Sequence, residues 1–316
     1  MITISVAIPC YKSSDTIEAV VNDIIHSFEQ QDRYDYQIIL INDYPMDDTF
    51  SVIKRLCQSN HKIIGLNLSK NFGQTSAKMA AIPYADGSVM VFMDDDGQHP
   101  ANGIFQLADK IFEGYDIVYA YFKNKKHSLF KRMTSRIHSK LSEINGIKPK
   151  GIHISSFFAV SRFAMDAFRD YNSPFPSMGA YLNSISDKAA EIEMPHRERA
   201  SGKSSYTLRK LWKLWLNCYT SFSVTPLRFM MSGGFLISLV GIIMGIIKLL
   251  IKIFTPQIYA GYSAETVLLL FLGGLILLAV GFTGEYIGRI YMTLSNMKPY
   301  TVRETVNTEK MRPKEN

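Results

Sequence analysis

Cysteine is scarce in this 316-residue sequence. Cys10, Cys57 and Cys218 lie far apart and show no metal-ligand spacing, so neither a thiolate metal site nor a disulfide framework is expected. A reducing cytoplasmic compartment suits the soluble part of the chain. Met1–Pro9 lacks a basic start and is too short an apolar run for a signal peptide, so it reads as a buried strand. Acidic residues are outnumbered, 28 against 35 Lys and Arg, and the formal charge of +7 suits an anionic partner. Positive charges gather near the apolar segments, which favours a lipid over a nucleic acid. Polar residues nearly vanish from 229–291, whereas residues 1–205 alternate apolar and polar segments.

The first half repeats a strand-then-helix rhythm. Apolar runs at Ile4–Pro9, Tyr36–Ile41, Lys62–Leu66, Val89–Met93 and Asp116–Tyr121 predict strands. Helical spacing covers Asp15–Phe28, Thr49–Asn60, Thr75–Ala85 and Ile104–Phe112. The alternation predicts an α/β fold with a mostly parallel sheet covered on both faces. Ligands of such sheets bind at the carboxyl ends of the strands, where Asp43 and Asp94–Asp96 fall.

Residues 122–150 read as a basic, partly helical excursion carrying Lys131, Arg132 and Arg136. Short apolar runs return at Ile154–Val160 and Ala189–Met194. Tyr206–Ser221 places Leu208, Leu211, Trp212, Trp215 and Tyr219 at helical spacing with Arg209, Lys210 and Lys213 between them, as an interfacial amphipathic helix does. Phe229–Ile251, roughly 35 Å long as a helix, is long enough to span a hydrocarbon core of about 30 Å. Thr266–Ile287 is similar. The alternative, a pair of buried core helices, fits poorly with segments that have no polar face. The loop Thr255–Glu265 lacks Lys and Arg while both outer flanks carry them, which predicts cytoplasmic termini. The expected organisation is a domain at 1–205, an interfacial helix within 206–228, two membrane helices at about 229–251 and 266–288 inside 229–291, and a cytoplasmic tail at 292–316.

The strongest motif is Met93-Asp94-Asp95-Asp96-Gly97-Gln98-His99-Pro100, directly after an apolar strand. Alternate carboxylates present oxygens to a hard divalent cation that also holds a diphosphate. Such a cation neutralises charge building on a phosphate leaving group. A solvated acidic turn is the plainer reading of three aspartates alone. Three weaker stretches accompany it: Val6-Ala7-Ile8-Pro9-Cys10-Tyr11-Lys12, Ile41-Asn42-Asp43-Tyr44-Pro45-Met46-Asp47-Asp48-Thr49 and Leu68-Ser69-Lys70-Asn71-Phe72-Gly73-Gln74.

In this order and spacing these stretches resemble glycosyltransferase family 2. Arg199-Ala200-Ser201-Gly202-Lys203-Ser204-Ser205-Tyr206 is similar to a further family signature. Thr225-Pro226-Leu227-Arg228 and Gly284-Glu285-Tyr286-Ile287-Gly288-Arg289-Ile290-Tyr291 resemble the two-span branch that glycosylates polyprenyl phosphates. The resemblance covers nearly the whole chain. It implies a nucleotide-sugar-binding, Rossmann-like sheet of the GT-A type with a two-helix transmembrane hairpin. It also implies Mg2+ or Mn2+, a nucleotide-sugar donor and a polyprenyl phosphate acceptor. The setting is the plasma (inner) membrane, and related enzymes suggest a homo-oligomer.

By the same resemblance, Pro9, Tyr11, Asp43, Lys70, Asp94 and Asp95 line the nucleotide-sugar site. Asp94 and Asp96 are the metal pair, with Asp96 the direct ligand, and Gln98 sits near the sugar or acceptor. Arg132, Arg136, Arg199 and Ser204 face the acceptor phosphate, as suits Arg. A solvated basic face is an equal reading for Lys131, Arg132 and Arg136.

The chain departs from the family at several points. Asn42-Asp43 stands for an Asp pair, and Tyr44-Pro45 for Gly-Ser. Ser156 takes the place of an Asp often assigned as base, Phe158 of an Arg and Ser205 of a Lys. A sugar hydroxyl needs a base. A phosphate monoester, with a second pKa of about 6, is already a nucleophile at neutral pH. The departure at Ser156 therefore favours a lipid phosphate as acceptor. The sequence leaves two other readings open: addition to the hydroxyl of a lipid-linked glycan, and an inactive membrane adaptor.

Overall fold

The computed structural model describes residues 1–122, 143, 149, 151–195, 225–254, 262–295 and 297–308. The chain forms two compact units, one built on a β-sheet and one of two long helices. The sheet is eight-stranded: β1 (Ile2–Cys10), β2 (Tyr34–Asn42), β3 (Ile63–Leu68), β4 (Val89–Phe92), β5 (Ile117–Tyr121), β6 (Phe158–Ser161), β7 (Ala189–Glu193) and β8 (Val302–Val306). Their spatial order is β7-β5-β6-β4-β1-β2-β3-β8. β1 pairs in parallel with β2 and β4, and β2 with β3, whereas β6 and β8 run antiparallel to their neighbours.

The period-two alternation of a strand sorts the apolar residues onto both faces. Ile4, Val6, Ile8, Ile38, Leu40, Val89 and Val91 pack on one side. The helices α1 (Ile17–Glu29), α2 (Thr49–Ser59) and α4 (Gly103–Phe112) cover them through Val20, Ile24, Ile53, Leu107 and their neighbours. Ala7, Ile39, Ile41, Met90 and Phe92 face the other side, against α3 (Gln74–Ala81), α5 (Arg162–Arg169) and α6 (Met178–Ile185). Each fully buried Ile or Leu contributes about 1.5–3 kcal/mol, which fixes the register at this central part of the sheet.

The expected strand and helix order in residues 1–121 is present. α3 ends earlier than its spacing predicts, and a 3₁₀ turn Ile82–Tyr84 follows. Pro83 offers no N–H to the preceding turn, which stops the helix. β6 is shorter than the run Ile154–Val160, because the Ser156 carbonyl is taken by a side chain, Lys78, rather than by a neighbouring strand. The Tyr206–Ser221 helix lies outside the described residues.

Residues 292–316, read from sequence as a tail, supply β8 at the sheet edge. β8 holds there partly through Asn307, whose φ of +60° is a conformation Asn tolerates well. Its Nδ2 donates to Cys57 O at 2.7 Å and Ile63 O at 2.9 Å. Asn307→Ala leaves those carbonyls without their donor and is expected to cost about 2 kcal/mol. Amide hydrogen exchange checks this: the β3 amides next to β8 should exchange about 30-fold faster.

The second unit holds α7 (Thr225–Phe254) and α8 (Tyr262–Leu294), both longer than the apolar segments that announced them. Within α8, Phe271–Leu294 is long and apolar enough to cross a membrane; among the described residues of α7 the apolar stretch Met230–Met244 is shorter. The polar end of α8 continues helically with the help of an Arg289–Glu285 pair one turn apart, 2.7 Å.

Candidate active site

The carboxyl ends of β1, β2, β3 and β4 and the start of β6 form one rim. Three carboxylates tie these ends together. Asp95 accepts from the Tyr11 N–H at 3.0 Å and from the Ser13 hydroxyl, joining the end of β4 to the end of β1. Burial pushes its carboxyl up, against those two hydrogen bonds. Asp43, at the end of β2, accepts from the Phe72 and Gly73 N–H groups, both at 2.8 Å. It thereby fixes the loop that carries Lys70 after β3. Burial raises Asp43 too, opposed by the same N–H groups.

Asp94 carries the densest set of partners. Gln74 Nε2 donates to Oδ1 at 2.6 Å and Ser156 Oγ donates to Oδ2 at 2.6 Å. The Lys78 ammonium stands 3.8 Å from Oδ1, and His99 Nε2 stands 3.9 Å from Oδ2. His99 Nδ1 accepts from the Asp94 N–H at 3.1 Å, so in the neutral ring Nε2 bears the proton. Burial would raise the Asp94 carboxyl. The Lys78 and His99 charges and the Ser156 and Gln74 hydrogen bonds outweigh it and hold it below its ordinary value. Burial pulls Lys78 down, and Asp94 opposes that.

Asp96 lies two residues beyond Asp94 and is partly exposed. Its Oδ1 accepts from the Gln98 N–H at 3.1 Å across a turn in which Gly97 has φ +73°, a conformation that favours glycine. Tyr11 packs edge-on against Tyr44, ring centroids 5.1 Å apart, and the Lys12 ammonium lies 4.8 Å from the Tyr44 ring. Aromatic faces beside a cation at strand ends suit a nucleoside base above and a phosphate nearby.

The fold thus brings Pro9, Tyr11, Asp43, Lys70, Asp94, Asp95, Asp96 and Gln98 to connected strand ends. Pro9 is buried in β1, and the Lys70 ammonium lies 5.1 Å from the Phe72 ring. Arg132, Arg136, Arg199 and Ser204 lie outside the described residues. Sequence reasoning missed Lys78, Ser13 and the role of His99. A lysine inside the apolar run Ala77–Ala81 was the available signal for Lys78.

Residues 5–170 match the family described as Glycosyl transferase family 2. The chain belongs to glycosyl transferase family 2. Family relatives match along almost its whole length. It is 28% identical over 314 residues to the uncharacterized glycosyltransferase YkcC of Bacillus subtilis, covering 98% of this chain and 95% of the relative. It is 29% identical over 308 residues to the undecaprenyl-phosphate 4-deoxy-4-formamido-L-arabinose transferase of Enterobacter sp., covering 96% and 94%. The Proteus mirabilis transferase of the same name is 28% identical over 313 residues, covering 97% and 95%. The fold is GT-A-like: glucosyl-3-phosphoglycerate synthase of Mycobacterium tuberculosis, solved with Mn2+, UDP-glucose and phosphoglyceric acid, aligns with a TM-score of 0.51 at 17% identity, covering 70% of this chain and 78% of that one. This family-2 protein is therefore a glycosyltransferase.

The rim of this family-2 site suits a hard cation. Among the described residues no three His, Cys, Asp or Glu side chains converge into a complete cage. The chemistry does not demand one, because a Mg2+-like ion is satisfied by one or two carboxylates with the remaining oxygens from a diphosphate. The strand-end aspartates fit that arrangement.

Proposed function

We propose that this glycosyltransferase moves a sugar from a nucleotide-sugar to a polyprenyl phosphate at the cytoplasmic face of a membrane. The observation that carries the reading is Ser156. Its hydroxyl donates to Asp94 at 2.6 Å, at the position where the family resemblance places an acidic base. A serine spent as a donor cannot take a proton from a sugar hydroxyl, whereas a phosphate acceptor has none to lose at neutral pH. The relatives named as undecaprenyl-phosphate transferases, matched along 94–95% of their length, support the same acceptor.

In this mechanism Tyr11, Tyr44 and Asp43 shape the nucleotide site, with Pro9 and Lys70 at its edges. Asp95 fastens the Tyr11 segment to the end of β4. Asp96, two residues from Asp94, would hold a divalent cation, and Gln98 would lie toward the sugar. The cation, when bound, neutralises charge on the departing diphosphate. Arg132, Arg136, Arg199 and Ser204 would take the acceptor phosphate, whose oxygen attacks the anomeric carbon and inverts it.

The reading includes two membrane crossings, near residues 229–251 and 266–288, between the 1–205 domain with its interfacial helix and the returning segment. β8 supports this by counting. The chain leaves the sheet after β7, runs through α7 and α8, and comes back to pair with β3. A single crossing by Phe271–Leu294 would strand β8 on the far side of the bilayer from β3, whereas two crossings return it to the same side. A membrane-fixed site also matches an acceptor whose tail does not leave the bilayer.

Membranes carrying the protein, supplied with a divalent cation, polyprenyl phosphate and a panel of nucleotide-sugars, should form a glycosyl-phospholipid with one donor. The product's anomeric configuration should be opposite to the donor's. Retention of configuration, or transfer only to a lipid-linked sugar, would remove the direct phosphate attack.

A further inference from the structure

Lys78 has no part in the reaction as described, yet it lies buried beside the Asp94 carboxylate. It lies midway along α3 and is only 5% exposed. Its ammonium donates to the Ser156 carbonyl at 2.9 Å, sits 5.4 Å from the Phe158 ring and stands 3.8 Å from Asp94 Oδ1. Its neighbours Ala77, Met79, Ala80 and Ala81 are all buried and apolar. An aliphatic residue would fill this position without taking a charge out of water, and desolvating an ammonium is expensive. What the lysine adds is a cation directly behind Asp94.

Asp94 already uses both oxygens. Gln74 occupies one and Ser156 the other, each at 2.6 Å. To bind a divalent cation Asp94 would have to give up one of these bonds and draw a doubly charged ion toward the Lys78 ammonium. Like charges at that separation repel strongly in surroundings poorer in water than bulk solvent. Asp96, two residues further along, is partly exposed, and it is the Asp94 carboxylate that the Lys78 ammonium pairs with.

We propose that Lys78 is an internal counter-cation that keeps Asp94 out of cation coordination, so that Asp96 takes the divalent ion and the donor's diphosphate completes its shell. Lys78 is a positioning residue, since it acts through Asp94 and Ser156 and is too buried to touch substrate. The consequence is an order of events. The free protein binds the cation weakly, and the ion arrives with the nucleotide-sugar rather than waiting for it. The inference rests on the glycosyltransferase reading of this site.

The test is a Mn2+ titration of the full chain in detergent, without nucleotide, read by electron paramagnetic resonance of free Mn2+. Asp94→Asn should bind Mn2+ within about twofold of the parent, whereas Lys78→Met, which removes the positive charge behind Asp94, should bind at least about tenfold tighter. Thermal unfolding of each variant shows whether it has kept its fold. A folded Lys78→Met protein with unchanged Mn2+ affinity overturns the proposal. So does a tenfold loss in Asp94→Asn, which decides the matter alone if Lys78→Met does not fold. Failure of the functional reading would look different: no sugar transfer by the parent protein with any donor, whatever these affinities.

Discussion

Asp96→Ala should lower sugar transfer by about 10³-fold, or ~4 kcal/mol of transition-state stabilisation, while the protein stays folded. The carboxylate stands in a turn after β4, is partly exposed, and accepts from the Gln98 N–H at 3.1 Å. Truncation therefore leaves the apolar core of the sheet intact. What it removes is the oxygen ligand best placed to hold a cation against a departing diphosphate, and a diphosphate without its counter-charge is a poor leaving group. Initial rates at saturating donor, with a thermal unfolding curve on the same preparation, separate the two effects. A variant that keeps more than about a tenth of the parental rate would place the cation elsewhere.

Gly87→Ala should act in the opposite way, costing about 3 kcal/mol of stability and leaving the chemistry of the folded fraction unchanged. A Cβ there would lie 2.6 Å from Ser5 N and 2.8 Å from both Ser5 Oγ and Thr3 O. Two of these atoms are backbone of β1, which is held between β2 and β4 and has no direction in which to yield. The clash also breaks into a buried polar knot. Gly87 N donates to Ser5 Oγ, Ser5 Oγ donates to Gln37 Oε1, and Gln37 Nε2 donates to Tyr84 O. Gly103→Ala makes the control. Its Cβ would meet Met194 Sδ and Phe157 Cε1 at 2.9 Å, both side-chain atoms, and a flexible methionine can swing aside. Urea unfolding of the two variants should place Gly87→Ala well below Gly103→Ala. Gly87 precedes β4, at the end of the strand opposite the aspartates, which is why rate per folded molecule should hold.

The strands of the sheet centre were legible because burial on both faces writes them as unbroken apolar runs, and their carboxyl ends pointed to Asp43 and Asp94–Asp96. The edges were not. β8 reads Val302-Arg303-Glu304-Thr305-Val306, short, charged and half exposed, and nothing local distinguishes it from a solvated tail. Only its antiparallel partner β3 makes it a strand. Lys78 was hidden for a related reason. A lysine on a helix is normally at the surface, and its burial depends on Ser156 and Asp94, which lie 78 and 16 positions further along the sequence. Asp94 and Asp95 were legible as site residues, but their division of labour was not: Asp95 clasps Tyr11 and Ser13, and Asp94 gathers Gln74, Ser156 and Lys78. The residues assigned to the acceptor phosphate, from Arg132 to Ser204, lie where the structure gives no description.

The pairing of β8 with β3 also sets a timetable for biogenesis. A ribosome releases the first seven strands of the sheet well before residues 302–306 exist, and α7 and α8 are made in the interval. Until residues 302–306 have emerged, the backbone edge of β3 that they cover is open to strand pairing with another chain. Closing that edge therefore waits until both long helices have been synthesised.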